Sequence, residues 1–360
     1  MEETNQSYTS LASLRQTFDQ VARKYPFSAK DIAGHSGWQR EVREILRDIT
    51  GLSRMRSCPL QPQLLESVSC SGYRRDKLLI QTEPDNWMPF YMLIPEGVSS
   101  QPLPCIIAPH GHGSCGKEGV AGRIDIPLID AITRSGASSY GLQLVREGYI
   151  VFCPDARGSG ERRETMNQGS AREQQLSSSC NHLNFAAISL GLTLTGMQIW
   201  DLIRLIDFIE SDSRCDSQQI GCCGMSGGGM QTIWLAAFDD RIQCAYVSGY
   251  FHGFRDTLLQ HHLCGCNFVP RLWEMVDMGD LGALVAPRPL FIETGAHDPL
   301  NDPRGADNVN EQFAITQAAY ELFEAQSKLE HYIFAGKHEW NGEKTAEFFK
   351  KWLTFTKKPT

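Results

Sequence analysis

The sequence predicts an α/β protein, with a mostly parallel central sheet covered by helices on both faces and a helical extension at its N-terminal side. Three observations carry that prediction. From about residue 104 onward, short apolar runs of strand length alternate with stretches of helical period. Ahead of them, two strand-like runs follow each other closely enough to pair antiparallel. A glycine-rich turn, Gly224 to Gly229, joins a strand-like run to a helix-like one in the middle of the alternation.

The elements follow in order. Residues 11 to 52 carry apolar side chains at helical spacing, first Leu11, Leu14, Phe18 and Val21, then Val42, Ile45, Leu46 and Ile49. Residues 1 to 64 are therefore expected to form the helical N-terminal extension. Strand character begins near Leu65, with LLIQT and then PFYMLIPE, whose run stops at Pro95 before the turn Glu96-Gly97. These two are expected as an antiparallel pair at a sheet edge. The later strands are PCIIAP (104 to 109), YIVFCPD (149 to 155), QIGCCGMS (219 to 226), CAYVSGY (244 to 250), PLFIETG (289 to 295) and HYIFAG (331 to 336). Helices are expected over 193 to 211, 308 to 325 and 344 to 355. Two segments break the rhythm, about 158 to 192 and about 251 to 286. Both follow strand ends, where ligands bind in α/β sheets, so they are expected to wall the site. Residues 65 to 360 read as a single catalytic domain with these insertions, because no linker or repeat divides them.

Composition narrows the function classes. The 360 residues are 41% hydrophobic and 21% charged, which fits a globular domain with a sizeable core. A formal charge of −8 argues against nucleic acid as a partner, since phosphate binding calls for a concentrated positive field. The start MEETNQSYTS lacks the basic and apolar regions of a secretory signal, and no stretch is apolar for long enough to span a bilayer. A cytoplasmic location without membrane contact is the expectation, and homo-oligomerisation is left open. Many of the 12 cysteines fall in strand-like runs and read as buried, reduced thiols.

The chemistry is carried by Gly224-Met225-Ser226-Gly227-Gly228, a G-x-S-x-G sequence between a strand and a helix. Such a turn holds a serine in a strained backbone conformation, and small neighbours are needed where a Cβ would strike strand or helix. A serine hydroxyl needs a base, and the base needs an acid to orient it. Downstream, Asp298 follows PLFIETG and His338 follows HYIFAG, in the order nucleophile, acid, base. Asp302 competes with Asp298, and Glu293 competes weakly because it lies inside the strand. Two backbone donors must meet the oxyanion of a tetrahedral intermediate, each worth about 2.7–4 kcal/mol. Gly227 supplies one, and the amide of His112 in Pro109-His110-Gly111-His112-Gly113 is expected to supply the other. His110 and Trp340 are expected beside the substrate, Trp340 as a face on which a sugar could stack.

With these residues in place, the chain resembles the α/β-hydrolases grouped with dienelactone hydrolase and the acetyl xylan esterases. The resemblance covers roughly residues 65 to 355, through PHGHG, DARGSGER, GMSGGG, APRPLFIETGAHD and GKHEW. It implies the α/β-hydrolase fold and hydrolysis of carboxylic esters, often acetyl groups on sugars, with no cofactor. It also supports Asp298, because the APRP run leads into the strand before the acid. Dienelactone hydrolases use a cysteine nucleophile where this chain has Ser226, so their lactone activity is not carried over.

Two further segments carry clustered polar residues. Arg157, in Asp155 to Glu161, is expected to fix its loop through a network with carboxylates. His261-His262-Leu263-Cys264-Gly265-Cys266 invites a zinc reading, but its Cys-x-Cys spacing does not match the usual C-x₂₋₄-C, and no second ligand cluster is evident. It is expected to wall the pocket without metal. The function expected is a serine carboxylic-ester hydrolase acting on short-chain esters of carbohydrates or similar polar alcohols. A peptidase of the prolyl oligopeptidase type is the nearer rival, with no room for a propeller before the catalytic domain. A non-catalytic binding module is the other, disfavoured by candidates for all three triad roles.

Overall fold

The computed structural model describes residues 8–97, 101–134, 139–169 and 171–355. The first seven residues, on which the reading of the N-terminal sequence partly rests, lie outside that set. Helices α1 (Leu11–Val21) and α2 (Ile32–Ile49) lead into strands β1 (Gln63–Cys70), β2 (Tyr73–Glu83), β3 (Asn86–Pro95) and β4 (Leu103–Ile107). Then come α3 (Lys117–Val120), α4 (Pro127–Arg134), α5 (Tyr140–Arg146), β5 (Ile150–Pro154), α6 (Arg172–Leu176), α7 (Cys180–Ser189) and α8 (Leu194–Ser211). The chain continues through β6 (Cys215–Met225), α9 (Gly227–Phe238), β7 (Ile242–Ser248), α10 (Leu272–Met275) and α11 (Met278–Val285). It ends with β8 (Leu290–Gly295), α12 (Ala306–Leu322), β9 (Leu329–Phe334) and α13 (Thr345–Trp352).

One sheet joins all the strands in the order β1-β2-β3-β5-β4-β6-β7-β8-β9. The first three pairings, ending with β3 on β5, are antiparallel, and every later one is parallel. β4, β5, β7 and the second half of β6 are buried on both faces because helices cover both, and the core lies in two layers. One layer is formed with α2, α8, α9 and α11, the other with α5 and α13.

Two expectations need correction. The hairpin predicted from LLIQT and PFYMLIPE is not the edge of the sheet, because β1 pairs outside it. β1 escapes prediction because residues 63 to 67 are exposed, so no buried face imposes an alternating pattern. The second irregular segment ends earlier than 286, since its last residues form α11, an ordinary helix crossing from β7 to β8. The N-terminal helices are docked by side chain to backbone bonds. On α2, the His35 ring meets Ala283 O at 3.0 Å, Gln39 donates to Leu284 O and Arg43 donates to Ala237 O.

Parallel order reverses at β4, which has β5 on one side and β6 on the other. At such a switch the loops leaving the two strand ends diverge and open a crevice. The loop after β4 and the turn after β6 lie there. No single helix among the described residues is long and apolar enough to cross a membrane.

Candidate active site

Ser226 stands between β6 and α9 with φ 56° and ψ −118°, a conformation rarely adopted by a residue with a Cβ. Its neighbours show why the turn needs glycines. A Cβ on Gly224 would come within 2.4 Å of the Gly228 carbonyl, and one on Gly228 within 2.2 Å of Pro109 O. The Ser226 N–H donates to Ser248 O at 2.9 Å, which fastens the turn to β7.

His338 Nε2 lies 2.9 Å from Ser226 Oγ, and His338 Nδ1 lies 2.7 Å from Asp298 Oδ2. Asp298 is 2% exposed, and its other carboxylate oxygen accepts the Leu300 N–H at 2.9 Å. The structure thus brings together three groups that are 72 and 40 residues apart along the chain. Asp302 is exposed on the far side of the short 3₁₀ turn Pro299–Asn301. Glu293 is fully buried, and its oxygens accept from Tyr246 Oη, Ser248 Oγ and the N–H groups of Asn341 and Gly342. It anchors the loop that carries His338 and has no lone pair left for the imidazole.

Opposite Ser226, the loop after β4 runs directly against the turn between β6 and α9. A Cβ on Gly111 would lie 2.7 Å from Met225 O and 3.5 Å from Ser226 Cβ. The His112 ring covers Gly227 so closely that a Cβ there would be 2.7 Å from Cε1. Gly227 is the first residue of α9, so its N–H has no acceptor within the helix.

Around these groups is a cavity of about 400 Å³, lined among others by His112, Ser226, Tyr250, His252, Asn267 and His338. Two predicted contacts are absent from its wall. His110 is 4% exposed and turned into the protein, with Nε2 accepting from Ala156 N and Nδ1 against Gly111 O. Burial pushes its pKa below the ordinary value, consistent with a neutral ring accepting that bond. Trp340 is 7% exposed and stacks on Tyr140 at 4.5 Å, in the core behind His338. Sequence position alone could not tell a pocket face from a core face.

His252 was missed. It follows β7, is 1% exposed and has Nε2 without a hydrogen-bond partner. Burial holds it neutral, with a pKa lowered to about 3 despite the nearby Asp298. The irregular segment after β7 does line the cavity, through His262, Leu263 and Cys264. A second set of ligand atoms, absent from the neighbouring sequence, does accompany it in space. Cys264 and Cys266 meet Cys180 from the first irregular segment and His112 from the β4 loop.

Comparisons with known proteins agree with this architecture. The YtaP protein of Bacillus subtilis (strain 168), named provisionally as a hydrolase, is 27% identical over 248 residues, 68% of this chain and 76% of its own. A provisionally assigned acetyl xylan esterase from Bacteroides fragilis superposes with a TM-score of 0.74 at 18% identity, over 93% of this chain and 84% of that one. A glucuronoyl esterase from Solibacter usitatus gives 0.63 at 17% identity, over 92% and 96%. At such identities the two structures share the fold with this chain. The sequence profile of the Abhydrolase family matches residues 2–253, from the N-terminal helices past the turn that holds Ser226. A match of that extent places the chain in the Abhydrolase family, on the α/β-hydrolase fold that its sheet displays.

Proposed function

We propose that the protein is a serine carboxylic-ester hydrolase acting through an acyl-enzyme. The observation that carries this reading is the continuous chain Ser226 Oγ, His338 Nε2, His338 Nδ1, Asp298 Oδ2, with links of 2.9 and 2.7 Å. Ser226 attacks the ester carbonyl while His338 Nε2 takes the hydroxyl proton. Asp298 keeps the remaining ring proton on Nδ1 and stabilises the imidazolium. The amides of Gly227 and His112 meet the oxyanion, and Nε2 then protonates the departing alcohol. A water, deprotonated by the same nitrogen, releases the acid.

The substrates we assign are short acyl esters, acetyl above all, of carbohydrates or similar polar alcohols. A cavity of about 400 Å³ with His262 and the unpartnered His252 Nε2 in its wall offers polar partners to an alcohol moiety. Solved neighbours named as acetyl xylan and glucuronoyl esterases lend support. A fluorophosphonate should label the wild type at Ser226 and leave Ser226→Ala unlabelled. Rates on p-nitrophenyl acetate, butyrate and octanoate should fall along the series, because each methylene is worth about 1–3 kcal/mol in a fitted pocket. Absence of labelling would remove the hydrolase reading, and a maximum at octanoate would remove the short-acyl one.

A further inference from the structure

Three thiols and one imidazole converge beside the cavity from three separate segments. His112 comes from the loop after β4, Cys180 from the start of α7, and Cys264 and Cys266 from the turn after β7. Their ligand atoms all lie within 4.8 Å of one another, and His112 Nε2 is 3.1 Å from Cys266 Sγ. None of the three cysteines is in a disulfide. We propose that His112, Cys180, Cys264 and Cys266 form a binding site for one divalent ion of the zinc class.

The donor set and its size both fit. Three sulfurs and one ring nitrogen are the Cys₃His set of closed tetrahedral zinc sites. With bonds of about 2.3 Å to sulfur and about 2.0 Å to nitrogen, the donors around such an ion sit roughly 3.5–3.8 Å apart, so little movement is needed to close the group. Cys180 and Cys266 are each 1% exposed, while Cys264 is half-buried and His112 opens to the cavity, which gives an ion its way in. Binding displaces the thiol protons, so the ion carries three thiolates and a neutral imidazole.

The surrounding bonds hold the ligands ready. Asn267 donates from its backbone and its side chain to Cys264 O, at 3.0 and 2.9 Å, and its amide is itself held by Tyr250 Oη at 2.7 Å. Thr195 Oγ1 donates to Cys266 O at 2.6 Å, and Gly265 N donates to Asn181 Oδ1, one residue beyond Cys180, at 2.7 Å. This bonding shell orients the ligands as outer partners do in known sites. Four protein ligands leave no open position, so the ion is structural: it ties the two irregular segments to the β4 loop. It also fixes the His112 ring over Gly227. On the esterase reading above, the backbone amide of the same residue is the second oxyanion donor, so an ion that holds the side chain also steadies that amide, and His112 is a positioning residue as well as a ligand.

Elemental analysis of the full-length protein, purified without chelator, is the test. About one zinc-class ion per chain is expected, lost in Cys264→Ser/Cys266→Ser and retained in Cys58→Ser, whose thiol lies by Gln81 O instead. Should the double variant not fold, stripped wild-type protein is reduced and titrated with Co²⁺. Thiolate-to-cobalt charge transfer and intense tetrahedral visible bands are then expected. Protein that is purified without metal and takes up no cobalt overturns the proposal, as does a stable disulfide among the three cysteines in its place. The ion does not depend on Ser226, so Ser226→Ala should hold it while losing fluorophosphonate labelling. Metal without labelling in the wild type would defeat the hydrolase reading and leave the site standing, and labelling without metal would do the reverse. Stripping the ion should lower kcat by roughly 10²–10³-fold with KM little changed, the signature of a displaced oxyanion donor. An unchanged kcat would reject the clamp on His112.

Discussion

Ser226 carries backbone strain worth about 1–3 kcal/mol, sustained by its bond to Ser248 O and by Gly224 and Gly228, where a Cβ would strike backbone. That strain presents Oγ to the imidazole. The two candidate carboxylates differ in position: Asp298 is buried and 2.7 Å from His338 Nδ1, whereas Asp302 is exposed to solvent. Asp298→Asn should lower kcat on p-nitrophenyl acetate by about 10⁴-fold, because an amide NH₂ facing Nδ1 favours the wrong tautomer. Asp302→Asn should change it little, and reversed effects would make Asp302 the acid. Gly227→Ala tests the opposite wall. Its helical backbone accepts alanine, but the new Cβ meets the His112 ring at 2.7 Å. The fold should survive, with thermal melting near wild type, while kcat falls by about 10²-fold as one oxyanion donor is pushed aside. Full activity in this variant would mean that the two amides do not share an oxyanion.

At the scale of elements, the site is a set of loops held by buried polar anchors. Glu293 on β8 takes two backbone N–H groups from the turn after His338, one on each oxygen, at 3.1 Å from Asn341 and 2.9 Å from Gly342. Glu293→Gln replaces one oxygen with an NH₂ group, and either orientation leaves one of those N–H groups facing a donor. The loss should be about 1–3 kcal/mol in urea unfolding, accompanied by a lower kcat because the loop aims His338. A variant as stable and as active as wild type would show that the loop holds itself. The parallel strands and the elbow were legible in the sequence because each is a local pattern: an apolar run, or glycines at fixed offsets. β1 was not, since a strand with little buried surface has no pattern to show. Trp340 and His110 were placed on the wrong side of their loops because a residue number fixes nearness along the chain and not the direction of a side chain.

Across the whole molecule, what the sequence could not show is what distant segments build together. The Cys₃His cluster draws on residues 112, 180, 264 and 266, so no local spacing rule could detect it. The Arg157 network is similar in kind: a carboxylate partner was expected, but its identity was not. Arg157 pairs with Asp201 on α8 at 2.8 Å through two nitrogens and with Glu83 at the end of β2, while Arg162 reaches Asp201 at 2.7 Å and Thr82 donates to it at 2.6 Å. One buried carboxylate thereby joins the hairpin, the loop after β5 and a long helix. Burial alone would raise the Asp201 pKa, but the two guanidinium groups overcome it and hold the value at about 2, below the ordinary 3.8. Because the folded value is depressed, the ionised form stabilises the fold above the unfolded pKa, and that contribution is lost as pH falls through the folded one. The shift corresponds to about 2 kcal/mol, lost progressively from about pH 5 downward. Asp201→Asn should be destabilised by about 3–5 kcal/mol at pH 7, since it leaves two buried arginines short of a counter-charge. Its deficit against wild type should then shrink as pH is lowered from 5 to 3 in urea unfolding, because only the wild type has this proton to bind. A deficit constant over that range would mean that Asp201 is not what couples these three elements to acid.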